Sequence, residues 1–170
     1  RPFDTYELVK NLKSTLSIPI HMQTHATTGM STATNMKAIE AGIDNIDTSI
    51  SSLSMTYGHT ATETMLAIFE NEEREINLDL SALEEVSIFF KEIRDKYSEF
   101  EGNLKGVDSS MLVKQVPGGM LSNLESQLRA NKQEDKIDLV KDEIPRVRKD
   151  FGYPPLVTPC LLYTSDAADE

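Results

Sequence analysis

Between residues 4 and 50 the spacing of apolar positions alternates between helical and strand periods. Asp4 reads as a helix N-cap, with Glu7 completing a capping box and Phe3 and Leu8 placed as a hydrophobic staple, so a helix is expected to about Thr15. Residues 17–22 read as a short buried strand, with Ile18 and Ile20 around Pro19. Residues 24–29 form a polar turn. Residues 30–41 then carry Ala33, Met36 and Ile39 at helical spacing, and Gly42 stands where a C′ glycine belongs. Residues 45–50 give a second strand. Helix, strand, helix, strand with short connections predicts a parallel α/β architecture, open or closed into a barrel.

The second half is helical with loops from about residue 76. Thr60 to Glu63, Ser81 to Glu84 and Ser122 to Glu125 each have the capping-box pattern. Leu83, Val86, Phe90, Ile93 and Tyr97 line one face of a helix that ends before Gly102. Leu124 and Leu128 mark another helix, and Ile137, Val140, Ile144 and Val147 a third, which Pro145 is expected to break or restart. The segment Val116, Pro117, Gly118, Gly119 is the main punctuation.

Composition narrows the class. The chain has 170 residues, 39% of them hydrophobic and 26% charged, which suits a globular protein. A net charge of −11 opposes non-specific nucleic-acid binding, which needs a Lys/Arg surplus. No apolar run is long enough to span a bilayer, and the amino end has no signal pattern. The one cysteine suits a reducing cytoplasm, so a cytoplasmic location is expected. Arg1 in place of Met suggests a piece of a longer protein. Residues 160–170 read as an in-frame translation of a sequencing adapter and are set apart from fold reasoning.

His21, Gln23 and His25 would share one face at a strand's carboxyl end, where sites sit in parallel α/β folds. Two imidazoles and an amide oxygen there either hold a divalent metal or hydrogen-bond to neighbours. Thr27, Thr28 and Gly29 could receive an anion at the next helix start, or form an ordinary capping turn. His59 follows Gly58 in a loop, either as a substrate contact or as a solvent-exposed histidine.

Five ordered motifs, PIHMQTHATTG (19–29), KAIEAGIDNIDTSISSLSMTYGHTATETM (37–65), FEGNLKG (100–106), QVPGGMLSNLESQL (115–128) and PLVTP (155–159), resemble the biotin-dependent carboxyltransferases. That family includes the oxaloacetate decarboxylase alpha chain, the pyruvate carboxylase B subunit and transcarboxylase. The resemblance runs through residues 1–159. It implies an α/β fold, a partial (β/α)8 TIM barrel of late strands over residues 1–75, followed by an α-helical C-terminal region over residues 76–159.

The implied reaction moves a carboxyl group between carboxybiotin and pyruvate or oxaloacetate through a metal-stabilised enolate. The implied cofactors are a divalent metal (Zn, Co or Mn) and biotin on a carrier domain or subunit. The family's His-x-His metal pair maps onto positions 23 and 25. His25 matches, whereas Gln23 stands where His is expected, and its neutral oxygen suits Mn or Mg better than Zn or Co. His21 is expected to support the ligands from behind. Thr158 matches the threonine that shuttles a proton between the substrate and the biotin nitrogen.

The family's other metal ligands, an Asp and a carboxylated Lys, would lie upstream of Arg1, so the chain alone is expected to be inactive. The implied partners are the biotin carboxyl carrier, membrane-bound decarboxylase subunits in some relatives, and further copies of the chain; no nucleic acid is expected. Two other readings fit the residues: a non-catalytic homologue serving as an assembly or binding module, and another metal-dependent His-x-His barrel lyase or synthase.

Overall fold

The computed structural model describes residues 1–70, 76–109, 111–114 and 118–154. The polypeptide divides into two compact units, residues 1–108 and 109–170. This division and the change in sequence pattern near residue 76 are separate boundaries, because the helix after residue 79 packs inside the first unit.

The first helix, α1 (Pro2–Thr15), starts two residues before the expected Asp4. Proline is favoured in a first turn, where its missing N–H has no partner to lose. Asp4 therefore lies inside the helix, without a capping bond, and the staple does not form, since Phe3 and Leu8 are both exposed. Strand β1 (His21–Met22) pairs in parallel with β2 (Asn45–Ile46), with His21 opposite Asn45 and Met22 opposite Ile46. Both strands are shorter than their apolar runs predicted. A separate parallel bridge joins Ser49 to Ala61.

Between the strands runs α2 (Ser31–Glu40). As expected, Gly42 follows with φ +90, in the left-handed region where glycine is least strained. Helix α1 packs on α2, burying Val9, Ala38 and Ile43 against Ile20, Met22, Ile39 and Ile46. Each large apolar side chain so buried contributes about 1.5–3 kcal/mol. This small core fixes the start of β1 and hence the loop that leaves it. The β1–α2–β2 unit is the parallel α/β element that the pattern predicted.

After a 3-10 turn (Ser51–Leu53) come α3 (Thr62–Phe69) and α4 (Leu80–Lys96). Neither capping box forms as expected. Glu63 receives the Ser51 N–H on both carboxylate oxygens (3.0 and 2.9 Å), so it ties α3 back to the preceding turn. Burial pushes its carboxyl up, but the bonds from Ser51 outweigh that and hold it below its usual range. Asp79, two residues before Ser81, caps α4 by accepting the Ser81 N–H at 2.9 Å. Leu83, Phe90 and Ile93 are half-buried as expected, whereas Val86 and Tyr97 are exposed.

In the second unit, α5 (Met111–Lys114) and α6 (Gly118–Ala130) pack against α7 (Ile137–Asp150), with Met111 and Met120 buried. Helix α6 starts before the expected box at Ser122. Helix α7 continues through Pro145, so the expected break is absent. Proline costs one intrahelical bond there, and the half-buried stripe Ile137, Val140 and Ile144 keeps the helix packed through it.

Asp44 locks the first unit. Its carboxylate accepts from Lys13 Nζ at 2.8 Å and from the Ile20 N–H at 2.7 Å, joining the end of α1 to the entry of β1. The Lys13 bond first, and the Ile20 bond second, hold its carboxyl below the usual range. A depressed carboxylate stabilises the fold above the unfolded pKa of about 3.9 and loses that effect as pH falls through the folded value. Asp44→Asn is therefore expected to lower the melting temperature at pH 7, with the gap to the wild type closing below about pH 4. Thermal melts followed by circular dichroism at both pH values check this, and a gap that is independent of pH would count against it.

Candidate metal centre

Because β1 ends at Met22, strand alternation stops before Gln23 and His25. The three expected side chains have different surroundings. His21 faces Asp47 across the sheet, Nε2 to Oδ1 at 2.6 Å. Gln23 is exposed. His25 is half-buried in the loop, and its Nδ1 meets the Tyr57 carbonyl oxygen at 2.6 Å. A carbonyl only accepts, so Nδ1 carries the proton and donates, leaving the lone pair of the neutral ring on Nε2.

This is the arrangement that prepares an imidazole to bind a metal, because a bond to the far nitrogen fixes tautomer and ring orientation. The donor chemistry at His25 thus fits a divalent cation. Among the described residues, however, no group of three or more His, Cys, Asp or Glu side chains is placed to share one.

His59, read from the sequence as a loop residue, lies against His25. The ring centroids are 5.2 Å apart with planes inclined by 27°. Its Nδ1 donates to the Thr24 carbonyl at 2.7 Å, by the same tautomer argument. Between these two bonds the Ala26 N–H donates to the Gly58 carbonyl at 2.8 Å, and the Thr27 hydroxyl donates to the Thr56 carbonyl at 2.9 Å. The loop after β1 and the loop before α3 are zipped together by four hydrogen bonds.

The second loop has an uncommon backbone. Met55 and Thr56 both have positive φ, 63 and 49, a region unfavourable for a β-branched residue. The turn is closed by Gly58 N–H to Met55 carbonyl and Met55 N–H to His59 carbonyl, both 2.7 Å. Outside it, the Tyr57 hydroxyl accepts the Leu104 N–H at 3.1 Å. Gly102 lies against the Tyr57 ring, where an added Cβ would come within 2.8 Å of both Cζ and Oη. Glu101 next to it pairs with Arg94 and Lys105, and Arg94 also donates to the Ser52 carbonyl at 2.7 Å. The Arg94 bond first, then Lys105, hold the Glu101 carboxyl below its usual range. The FEGNLKG motif therefore buttresses Tyr57.

The turn Thr27 to Gly29 has its own partners. Its Thr27 hydroxyl goes to Thr56, its Thr27 carbonyl accepts the Asp108 N–H at 2.8 Å, and the methyls of Val107 pack beside Gly29. The turn is used for docking a neighbouring segment. Asn35, fully buried, accepts the Thr24 hydroxyl at 3.1 Å and was not singled out by the sequence pattern. Tyr57 also carried no local signal, since its carbonyl is the functional group. Thr158, Pro117 and residues 160–170 lie outside the described residues.

The HMGL-like family matches residues 1–89, and the conserved carboxylase domain matches residues 111–160. The methylmalonyl-CoA carboxyltransferase 5S subunit of Propionibacterium freudenreichii subsp. shermanii is 47% identical over 161 residues, 94% of this chain and 32% of that protein. The pyruvate carboxylase B subunit of Methanocaldococcus jannaschii is 46% identical over 93% of this chain and 28% of that protein. The carboxyl transferase domain of Rhizobium etli pyruvate carboxylase, solved with pyruvate, superposes with a TM-score of 0.87 at 30% identity, covering 94% of this chain and 27% of that one. The chain thus spans about a third or less of the length of these relatives. With residues 1–89 matched by one family and residues 111–160 by the conserved carboxylase domain, the chain belongs to the HMGL-like family.

Proposed function

We propose that this chain supplies part of the carboxyl-transfer site of a biotin-dependent enzyme acting on pyruvate or oxaloacetate, its first unit forming late strands of a (β/α)8 barrel. The observation that carries this reading is His25. It lies just beyond a parallel strand's carboxyl end, with Nδ1 committed to the Tyr57 carbonyl and Nε2 left to bind. The relatives named above, a carboxyltransferase subunit and two pyruvate carboxylases, support the same chemistry.

In this reading His25 Nε2 and the Gln23 amide oxygen would hold a divalent cation, Mn or Mg suiting the amide better than Zn or Co. When bound, the cation supplies Lewis acidity toward the substrate's keto oxygen. His21, paired with Asp47, steadies the strand end. The Thr158 hydroxyl takes a proton from the methyl group of pyruvate and passes one to the biotin nitrogen as the carboxyl group departs from it. The new carbon–carbon bond of oxaloacetate forms, and the reverse sequence decarboxylates it. The biotin is carried by a separate domain or subunit, which makes that carrier a partner. A cytoplasmic setting and assembly with further copies follow from the same family reading.

A graft tests the proposal. Residues 1–159 replace the matching segment of the Methanocaldococcus jannaschii pyruvate carboxylase relative, and carboxyl transfer from carboxybiotin to pyruvate is measured. Measurable transfer is expected, falling by about a hundredfold or more with Thr158→Ala, in the range typical of a lost proton-transfer group. Transfer unaffected by that change would remove Thr158 from the mechanism. In the same graft, Gln23→His is expected to tighten Co2+ binding by on the order of tenfold, since imidazole is the softer and stronger donor. A graft that folds but binds no divalent metal, with or without that change, would favour the non-catalytic module instead.

A further inference from the structure

We infer that His59 and the Tyr57 carbonyl are positioning groups that set the tautomer and direction of the His25 ring, and that Gly102 keeps Tyr57 where its carbonyl can do so. The inference deepens the proposed function, since it rests on His25 being a ligand, and the tests below separate the two.

The geometry is reciprocal. The His25 ring donates to the backbone of residue 57, two positions from His59, while the His59 ring donates to the backbone of residue 24, next to His25. Each imidazole is thereby held at the loop that carries the other, and the two rings lie face to face at 5.2 Å. The Ala26-to-Gly58 bond lies inside this pair, so the two loops cannot slide without breaking all three contacts. A lone His25 would be free to rotate about its side-chain bonds. Here both faces of that freedom are restricted, one by the Tyr57 carbonyl and one by the neighbouring ring.

The device extends outward to Gly102. The Tyr57 phenol is fixed at its tip by the Leu104 N–H, and its ring lies where a side chain at position 102 would have to be. Any residue with a Cβ there must displace the ring. With its tip held by the Leu104 N–H, part of that displacement would be passed to the Tyr57 backbone, just after two positive-φ residues. The carbonyl of Tyr57 would then leave the His25 Nδ1. Second-layer partners of this kind commonly change metal affinity by about 10–100-fold.

The chemistry of position 59 distinguishes positioning from direct ligation. A glutamine there has an amide N–H that can reach the Thr24 carbonyl and a flat group that can lie on the His25 ring, but a weaker metal donor than imidazole.

The test uses the graft of residues 1–159 into the Methanocaldococcus jannaschii relative, which supplies the upstream part of the site, labelled with 15N on histidine and with Co2+ alone as the probe. Long-range 1H–15N spectra report which nitrogen of His25 is protonated, and Co2+ titration followed by visible absorption reports affinity. The wild type is expected to show His25 protonated at Nδ1. His59→Ala is expected to replace this with a tautomer mixture and weaken Co2+ at least about tenfold, whereas His59→Gln restores both to within about threefold. Gly102→Ala, which changes neither imidazole, is expected to reproduce the tautomer loss. Should His59→Ala fail to fold, His59→Gln and Gly102→Ala decide by the same readouts. If the wild type binds no Co2+, the ligand reading fails on its own, and the tautomer spectra still decide the positioning claim. A wild-type tautomer in both His59→Ala and Gly102→Ala overturns the inference, and so does equal loss of Co2+ in His59→Gln and His59→Ala.

Discussion

The reciprocal hydrogen bonds from His25 to the Tyr57 carbonyl and from His59 to the Thr24 carbonyl are the constraint on which the rest of the site depends. Two loops from different elements, one leaving β1 and one entering α3, have few apolar side chains with which to hold each other. Their polar backbone groups must still be satisfied where they meet. The imidazoles solve this by serving as long donors that reach across to the opposite carbonyl. A consequence for chemistry follows directly. Each ring that donates from Nδ1 keeps its basic nitrogen at the far edge, so the same bonds that close the loops also leave His25 ready for a cation.

What holds the clamp is a hierarchy of smaller devices. The core of Val9, Ala38 and Ile43 sets the helices against the sheet, and Asp44 ties α1 to the strand entry. Glu63 secures the turn before α3, and the Arg94–Glu101–Lys105 group secures the segment that faces Tyr57. Glu63 works by receiving a donor 12 positions away, and Glu101 by receiving donors from Arg94 and Lys105 on either side of it. None of these ion pairs is deeply buried, so their main effect is orientation and not large stability. Strain at Met55 and Thr56 is consistent with this order, since a turn that must aim one carbonyl accepts an unfavourable φ when its surroundings fix it.

Family membership explains why the motifs occur together. The FEGNLKG segment is far in sequence from the histidines, yet within the first unit it supplies the glycine against Tyr57 and the N–H on its hydroxyl. The Rhizobium etli carboxyl transferase domain superposes on 94% of this chain at a TM-score of 0.87. Gln23 is where the chain departs from the implied ligand pair, and its exposure means the change costs the fold little. In the proposed site the consequence would fall on cation preference instead, because an amide oxygen and an imidazole differ in softness more than in size.

Much of this was legible in the residues themselves. Helical spacing in 30–41 with Gly42 behind it, the parallel order of strand and helix, and the candidacy of His25 all follow from local period and local chemistry. Helix starts were misplaced where a polar side chain found a better partner far away, as Glu63 did at Ser51, or where Pro2 and Asp79 offered earlier starts. Tertiary structure alone decided that His59 faces His25, that the Tyr57 backbone is its acceptor, and that Gly102 must be small. The reason is physical: a backbone carbonyl has no residue-type signature, and contacts across 32 to 47 positions depend on how the small core sets the loops, not on spacing along the chain.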